Sequence, residues 1–174
     1  MYNRGENRGD IMNVVLIGMP GCGKSTIGVL LAKAMLYNFL DTDLVIQNKF
    51  SKTLSQIIKE EGIEEFKNKE NAVLSEIHCE NSIVATGGSA VYGKEAMQNL
   101  KQNAKVVYLK LAPSEIEARI KNIKTRGIAM QEGTSIEELY NERAPLYERY
   151  ADKIVCCSGK TIEECVNDII KALG

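Results

Sequence analysis

A chain of 174 residues, 44% of them hydrophobic, has the length of one ordinary domain and enough apolar chain for a real core. Its 22 basic and 23 acidic residues leave a formal net charge of -1, with none of the electrostatic footprint of a protein that binds nucleic acid or a membrane surface; a small polar partner is expected instead. Five cysteines without a C-x-x-C pair and one histidine, His78, give no zinc-site spacing and read as reduced thiols of a cytoplasmic protein.

Residues 1–11 are polar and read as a disordered extension, not as a signal peptide, so one domain is expected over 12–174. No apolar segment has the length of a membrane span. Val14-Val15-Leu16-Ile17 predicts a buried strand. It runs into Gly18-Met19-Pro20-Gly21-Cys22-Gly23-Lys24-Ser25-Thr26, a P-loop of form G-x-x-x-x-G-K-S, and a helix follows over 27–34. Strand, turn and helix are the context in which such a loop turns its N–H groups toward the phosphates of a nucleotide. Gly21, Cys22, Gly23, Lys24, Ser25 and Thr26 are the expected nucleotide contacts, with Lys24 on the outer phosphates and the Ser25 hydroxyl on Mg²⁺.

A short strand over 37–40 then ends in Asp41-Thr42-Asp43, followed by an amphipathic stretch over 44–50. Apolar residues recur at helical spacing through 53–80, with Gly62 separating two helices and His78 near the end of the second. Ser82-Ile83-Val84-Ala85 predicts a buried strand that stops at Thr86-Gly87-Gly88-Ser89. A helix over 93–102, a strand over 105–109 and a helix opened by Pro113 come next. Residues 122–134 lack periodicity and carry two glycines, which predicts a loop or lid. A helix over 135–150, a strand over 153–155 with Cys156-Cys157 packed at its end, and a helix over 161–172 complete the chain. Apolar strands alternating with helices define an α/β domain whose parallel sheet is covered on both faces. Ligands of such sheets bind beyond the carboxyl ends of the strands, so the P-loop, Asp41, Asp43, Gly87 and Gly88 are expected in one cleft.

Together with Asp41-x-Asp43, Gly87-Gly88 and Arg143-Ala144-Pro145-Leu146-Tyr147, the P-loop makes the chain resemble the shikimate kinases from about residue 12 onward. The resemblance implies a P-loop nucleoside-monophosphate-kinase-like fold with a five-stranded parallel sheet, and phosphoryl transfer from ATP to shikimate; a monomer is expected. It also implies that Ser25 and, through water, Asp41 hold Mg²⁺, while Asp43 hydrogen-bonds the acceptor hydroxyl and takes its proton. Gly87, Gly88, Arg143 and Lys67 would hold the acceptor, a hydroxylated carboxylic acid. Arg126 would close over the phosphates from the lid, and Arg119 would stack on the adenine opposite Ser158-Gly159-Lys160.

Other readings stay open beside these. Each aspartate could instead cap the helix that follows it, and Arg143 could be an exposed arginine paired with a glutamate. The chain departs from the family pattern where Phe66-Lys67-Asn68-Lys69-Glu70 replaces Phe-Arg-x-x-Glu, where Ser89 replaces a third glycine, and where Arg126-Gly127-Ile128-Ala129 replaces Arg-Pro-Leu-Leu. Each departure falls on the acceptor or lid side. A kinase of another hydroxy acid or polyol, homoserine- or gluconate-like, and an ATP-binding regulator without turnover are the alternatives.

Overall fold

The computed structural model describes residues 12–121 and 127–174. The apolar runs form strands β1 (Asn13–Ile17), β2 (Asn38–Asp41), β3 (Ser82–Ala85), β4 (Ala104–Lys110) and β5 (Lys153–Cys156), in one parallel sheet of order β2-β3-β1-β4-β5. β1 and β3 are buried at every position, as central parallel strands require, and their polar first residues meet each other where the Ser82 N–H donates to Asn13 Oδ1 at 3.0 Å. The edge behaves differently: of β5 only Val155 is buried, and Ile154 stands 52% exposed. Register brings the strand ends level. Ala85 pairs with both Leu16 and Asp41, so the segments leaving β1, β2 and β3 start side by side.

Helices α1 (Lys24–Met35), α2 (Thr42–Phe50), α3 (Leu54–Glu61), α4 (Ile63–Ser75), α5 (Lys94–Lys101), α6 (Pro113–Lys121), α7 (Ile136–Tyr150) and α8 (Ile162–Leu173) connect and follow the strands, α2 to α4 together between β2 and β3 and α6 with α7 between β4 and β5. Their starts are written in the sequence: Thr53 with Gln56, Ser135 with Glu138 and Thr161 with Glu164 form reciprocal capping boxes on α3, α7 and α8. Gly62, at φ 89°, closes α3 and opens α4. No helix among the described residues is long and apolar enough to cross a membrane.

The structure departs from the periodicity in three places. α4 stops at Ser75, because the Asn99 side chain donates to the carbonyls of Leu74 (2.9 Å) and Ile77 (2.8 Å) and satisfies groups that a further helical turn would have bonded. His78 therefore lies beyond the helix, exposed. A 3₁₀ turn, Ala90–Tyr92, follows the Gly87-Gly88-Ser89 loop where irregular chain was expected. Of the two adjacent thiols, Cys157 packs in the core while Cys156 is exposed.

Candidate active site

A cleft of about 330 Å³ opens at the carboxyl ends of β1, β2 and β3. One wall is the P-loop. Gly18 permits its close return: a Cβ there would lie 2.8 Å from the Leu109 carbonyl oxygen. Gly23, left-handed at φ 99°, delivers the chain into α1. Gly21, Gly23, Ser25 and Thr26 line the cleft, whereas Cys22 turns its fully buried side chain inward. Lys24 is 7% exposed, and its ammonium donates to the loop carbonyls of Gly18 (2.7 Å) and Met19 (2.8 Å).

Asp41 ends β2 and caps α2. One carboxylate oxygen accepts the Asp43 backbone N–H at 3.0 Å and the other accepts the Ser25 hydroxyl at 2.7 Å. The capping reading and the proximity to Ser25 thus hold at once for Asp41. Asp43 is not a cap; it stands in the first turn of α2, facing Gly87. A Cβ on Gly87 would lie 2.9 Å from Asp43 Oδ1 and 2.6 Å from Glu70 Oε1, and one on Gly88 would lie 2.8 Å from Pro20 and 3.1 Å from Arg143 Nη1. The two glycines form a floor that two carboxylates and a guanidinium approach from above.

Arg143 is 1% exposed, which overturns its reading as an exposed surface arginine. Its Nη2 donates to the Ala129 carbonyl at 2.5 Å and its Nε to the Tyr92 hydroxyl at 3.2 Å. Tyr147, one turn further along α7, donates its hydroxyl to the Gly88 carbonyl at 2.6 Å. Gly127 packs against α3 so closely that a Cβ would meet the Ser55 nitrogen at 2.6 Å, which seats the described end of the predicted lid over the cleft.

Other expected residues lie further out. Lys67 is outside the cleft lining; its ammonium bonds Glu64 at 3.0 Å and sits 4.3 Å over the Tyr92 ring. Lys160 is exposed and bonds Asp168 at 2.8 Å. Arg119 is exposed beside the P-loop, with Nη1 3.4 Å from the Gly21 carbonyl oxygen. Arg126 falls outside the described residues.

Sequence reasoning passed over Glu70. It lines the cleft at 2% exposure, and burial, aided by the Asp43 charge, pushes its carboxyl group up to about 7 against the opposing pull of Ser89, Arg143 and Lys24. A signal existed: a carboxylate in the apolar row of α4 with Phe66, Val73 and Leu74 has to be compensated by something. Tyr92, which touches both Lys67 and Arg143, gave no signal beyond its place after the glycine loop.

A P-loop at the end of a central parallel strand, with carboxylates and a buried arginine across the cleft, defines a phosphotransferase of the small-molecule kinase class. A family model described as shikimate kinase matches residues 20–174. Shikimate kinases of Clostridium botulinum and Alkaliphilus oremlandii are 37% and 36% identical over 161 and 165 residues, covering 92% of this chain and 96% and 98% of theirs. The structure of shikimate kinase from Acinetobacter baumannii in complex with shikimate superposes with a TM-score of 0.86 at 29% identity, covering 94% of this chain and 93% of that one. The chain belongs to the shikimate kinase family, whose phosphoryl donor is ATP.

Proposed function

We propose that this protein transfers the γ-phosphoryl group of ATP to a hydroxyl of shikimate, giving ADP and shikimate 3-phosphate. The observation that carries the reading is Arg143: a guanidinium buried to 1% exposure, facing Gly88 across the cleft from the P-loop, is a fixed anchor for an acceptor carboxylate. Its burial supports an anionic acceptor over a neutral polyol. With the carboxylate anchored there, the acceptor lies over the Gly87-Gly88 floor with its hydroxyl toward Asp43.

Phosphoryl transfer asks the protein chiefly to align donor and acceptor and to neutralise charge. In the reaction read here, the acceptor oxygen bonds to the γ-phosphorus as the bond to the ADP oxygen breaks. The hydroxyl proton passes to Asp43. Lys24 leaves its loop carbonyls for the outer phosphate oxygens, and the loop N–H groups hold the rest. Mg²⁺ is characteristically held by one or two protein oxygens together with phosphate oxygens and water, and the paired oxygens of Ser25 and Asp41 fit that donor set. When bound, the ion offsets charge on the β- and γ-phosphates. Arg119 beside Gly21 is placed to cover the nucleotide.

Near-balanced charge supports a small-molecule substrate without nucleic acid or membrane, and five free cysteines, one exposed, support a cytoplasmic setting; we read the protein as a monomer. The function is tested by coupled ADP release with ATP against shikimate, homoserine, gluconate and no acceptor. Saturable, shikimate-dependent release is expected. Release with another acceptor alone, or equal release with none, would remove shikimate from the reading.

A further inference from the structure

Among the described charged side chains only Arg143 is buried more deeply than Glu70. A carboxylate so placed needs hydrogen-bond donors at its oxygens. Ser89 supplies one, its Oγ 2.5 Å from Glu70 Oε2. Oε1 has no hydrogen-bond partner among the described residues, and it borders Gly87 and Asp43 in the cleft lining. Ser89 is 5% exposed and stands at the start of the 3₁₀ turn Ala90–Tyr92 without a side-chain bond to that turn, so its hydroxyl is left to Glu70. Ser89 stands where the family pattern has a third glycine, and its side-chain oxygen is committed to Glu70.

We infer that Ser89 is a positioning residue of the acceptor site: its hydroxyl fixes the Glu70 carboxylate with Oε1 turned to the bound acceptor, beside Asp43. The inference rests on the phosphoryl-transfer reading above and adds to it an element particular to this chain. Lys67, at the position of the family's arginine, reaches Glu64 and the Tyr92 ring, while Ser89 supplies the donor to Glu70. The groups facing Glu70 are Asp43 on α2, whose charge favours its protonation, and Arg143 on α7 and Lys24 on α1, whose charges oppose it. A hydroxyl that donates to the ionised form adds to the second pair. Ionised, Oε1 accepts a hydrogen bond from an acceptor hydroxyl; protonated, the pocket loses that acceptor and a charge.

The test is the pH dependence of kcat/KM for shikimate in wild type, Ser89→Ala, Ser89→Gly and Glu70→Gln, with KM for ATP measured alongside. In wild type an acidic limb centred near 7 is expected, where burial places Glu70. Loss of the Ser89 donor should move it upward by about one unit, and Glu70→Gln should abolish it and raise KM for shikimate without raising that for ATP. A limb unmoved in both Ser89 variants overturns the inference. Carbon-13 NMR of the Glu70 carboxyl group in the protein without substrate, assigned through Glu70→Gln, reads the same displacement independently. No upward displacement in that titration also overturns the inference, whereas a wild type that titrates as expected yet releases no ADP with shikimate counts against the proposed function instead.

Discussion

Lys24 carries two roles, and one substitution removes both with separate readouts. In the proposed reaction its ammonium neutralises the outer phosphates, so Lys24→Ala should abolish turnover. It is also the buried donor to the carbonyls of Gly18 and Met19, which the alanine leaves without that donor. A stability loss of about 1–2 kcal/mol should accompany the inactive but folded protein, read by circular dichroism melts in the absence of nucleotide. A folded variant with normal turnover would remove the P-loop assignment. Lys67 is the second informative position. Its point charge is shared with Glu64 over the Tyr92 ring, the ring that Arg143 also overlies at 5.3 Å. Lys67→Arg keeps the ring contact and adds a planar fork for the acceptor carboxylate. KM for shikimate should fall about fivefold, about 1 kcal/mol, with KM for ATP unchanged. Saturation kinetics on both substrates check this, and an unchanged or higher shikimate KM contradicts it.

The junction of β2 and α2 shows how an element end can be structural and chemical together. Asp41 caps α2 with one oxygen and reaches Ser25 with the other. Asparagine caps about as well as aspartate but brings no charge. Asp41→Asn should therefore melt within about 1 °C of wild type yet lose most of its turnover. Asp41→Ala should lose turnover and about 1 kcal/mol as well, a fall in Tm of about 2–4 °C for a chain of this size. Equal melting of the two variants would deny the cap. The elements themselves were legible wherever one physical cause dominated. Apolar runs gave β1 and β3, apolar spacing gave the helices, and Gly62 gave the break between α3 and α4, while the capping boxes that start α3, α7 and α8 were present in the sequence but not used. What escaped the sequence depended on distant partners. Asn99 ends α4 from another helix, and the 3₁₀ turn at Ala90–Tyr92 sits between the glycine loop and α5. In the cleft, the P-loop and the aspartates were readable because each follows a strand end. The engagement of Ser89 with Glu70, nineteen positions apart, was not, since neither residue announces its partner.

For the molecule as a whole, Glu70 makes stability depend on pH. Its carboxyl group rises from 4.5 to about 7 on folding, so the folded state binds the proton more tightly than the unfolded state does. The stability linked to that proton is complete below about 4.5 and is lost as pH climbs through 7. Glu70→Gln, which carries no such proton, should gain on wild type by about 2 kcal/mol between pH 5 and pH 8 in urea melts. A difference that stays constant across that range would contradict the buried, protonatable carboxylate. The sheet order has a different consequence. With β1 in the centre, Asp41, Asp43, Glu70, Gly87, Gly88 and Ser89 all come from β2, β3 and the chain between and just beyond them, on one flank, while Arg119 and Lys160 follow β4 and β5 on the other. In the proposed reading, most of the acceptor side (Asp43, Glu70, Gly87, Gly88 and Ser89) thus lies in one uninterrupted stretch of polypeptide, from residue 38 to about 92, which also carries Asp41. In that reading, recombination that exchanged the stretch as a cassette would change the acceptor while keeping the P-loop, provided that the incoming segment carried its own aspartate at position 41 and that Arg143, on α7, was changed separately.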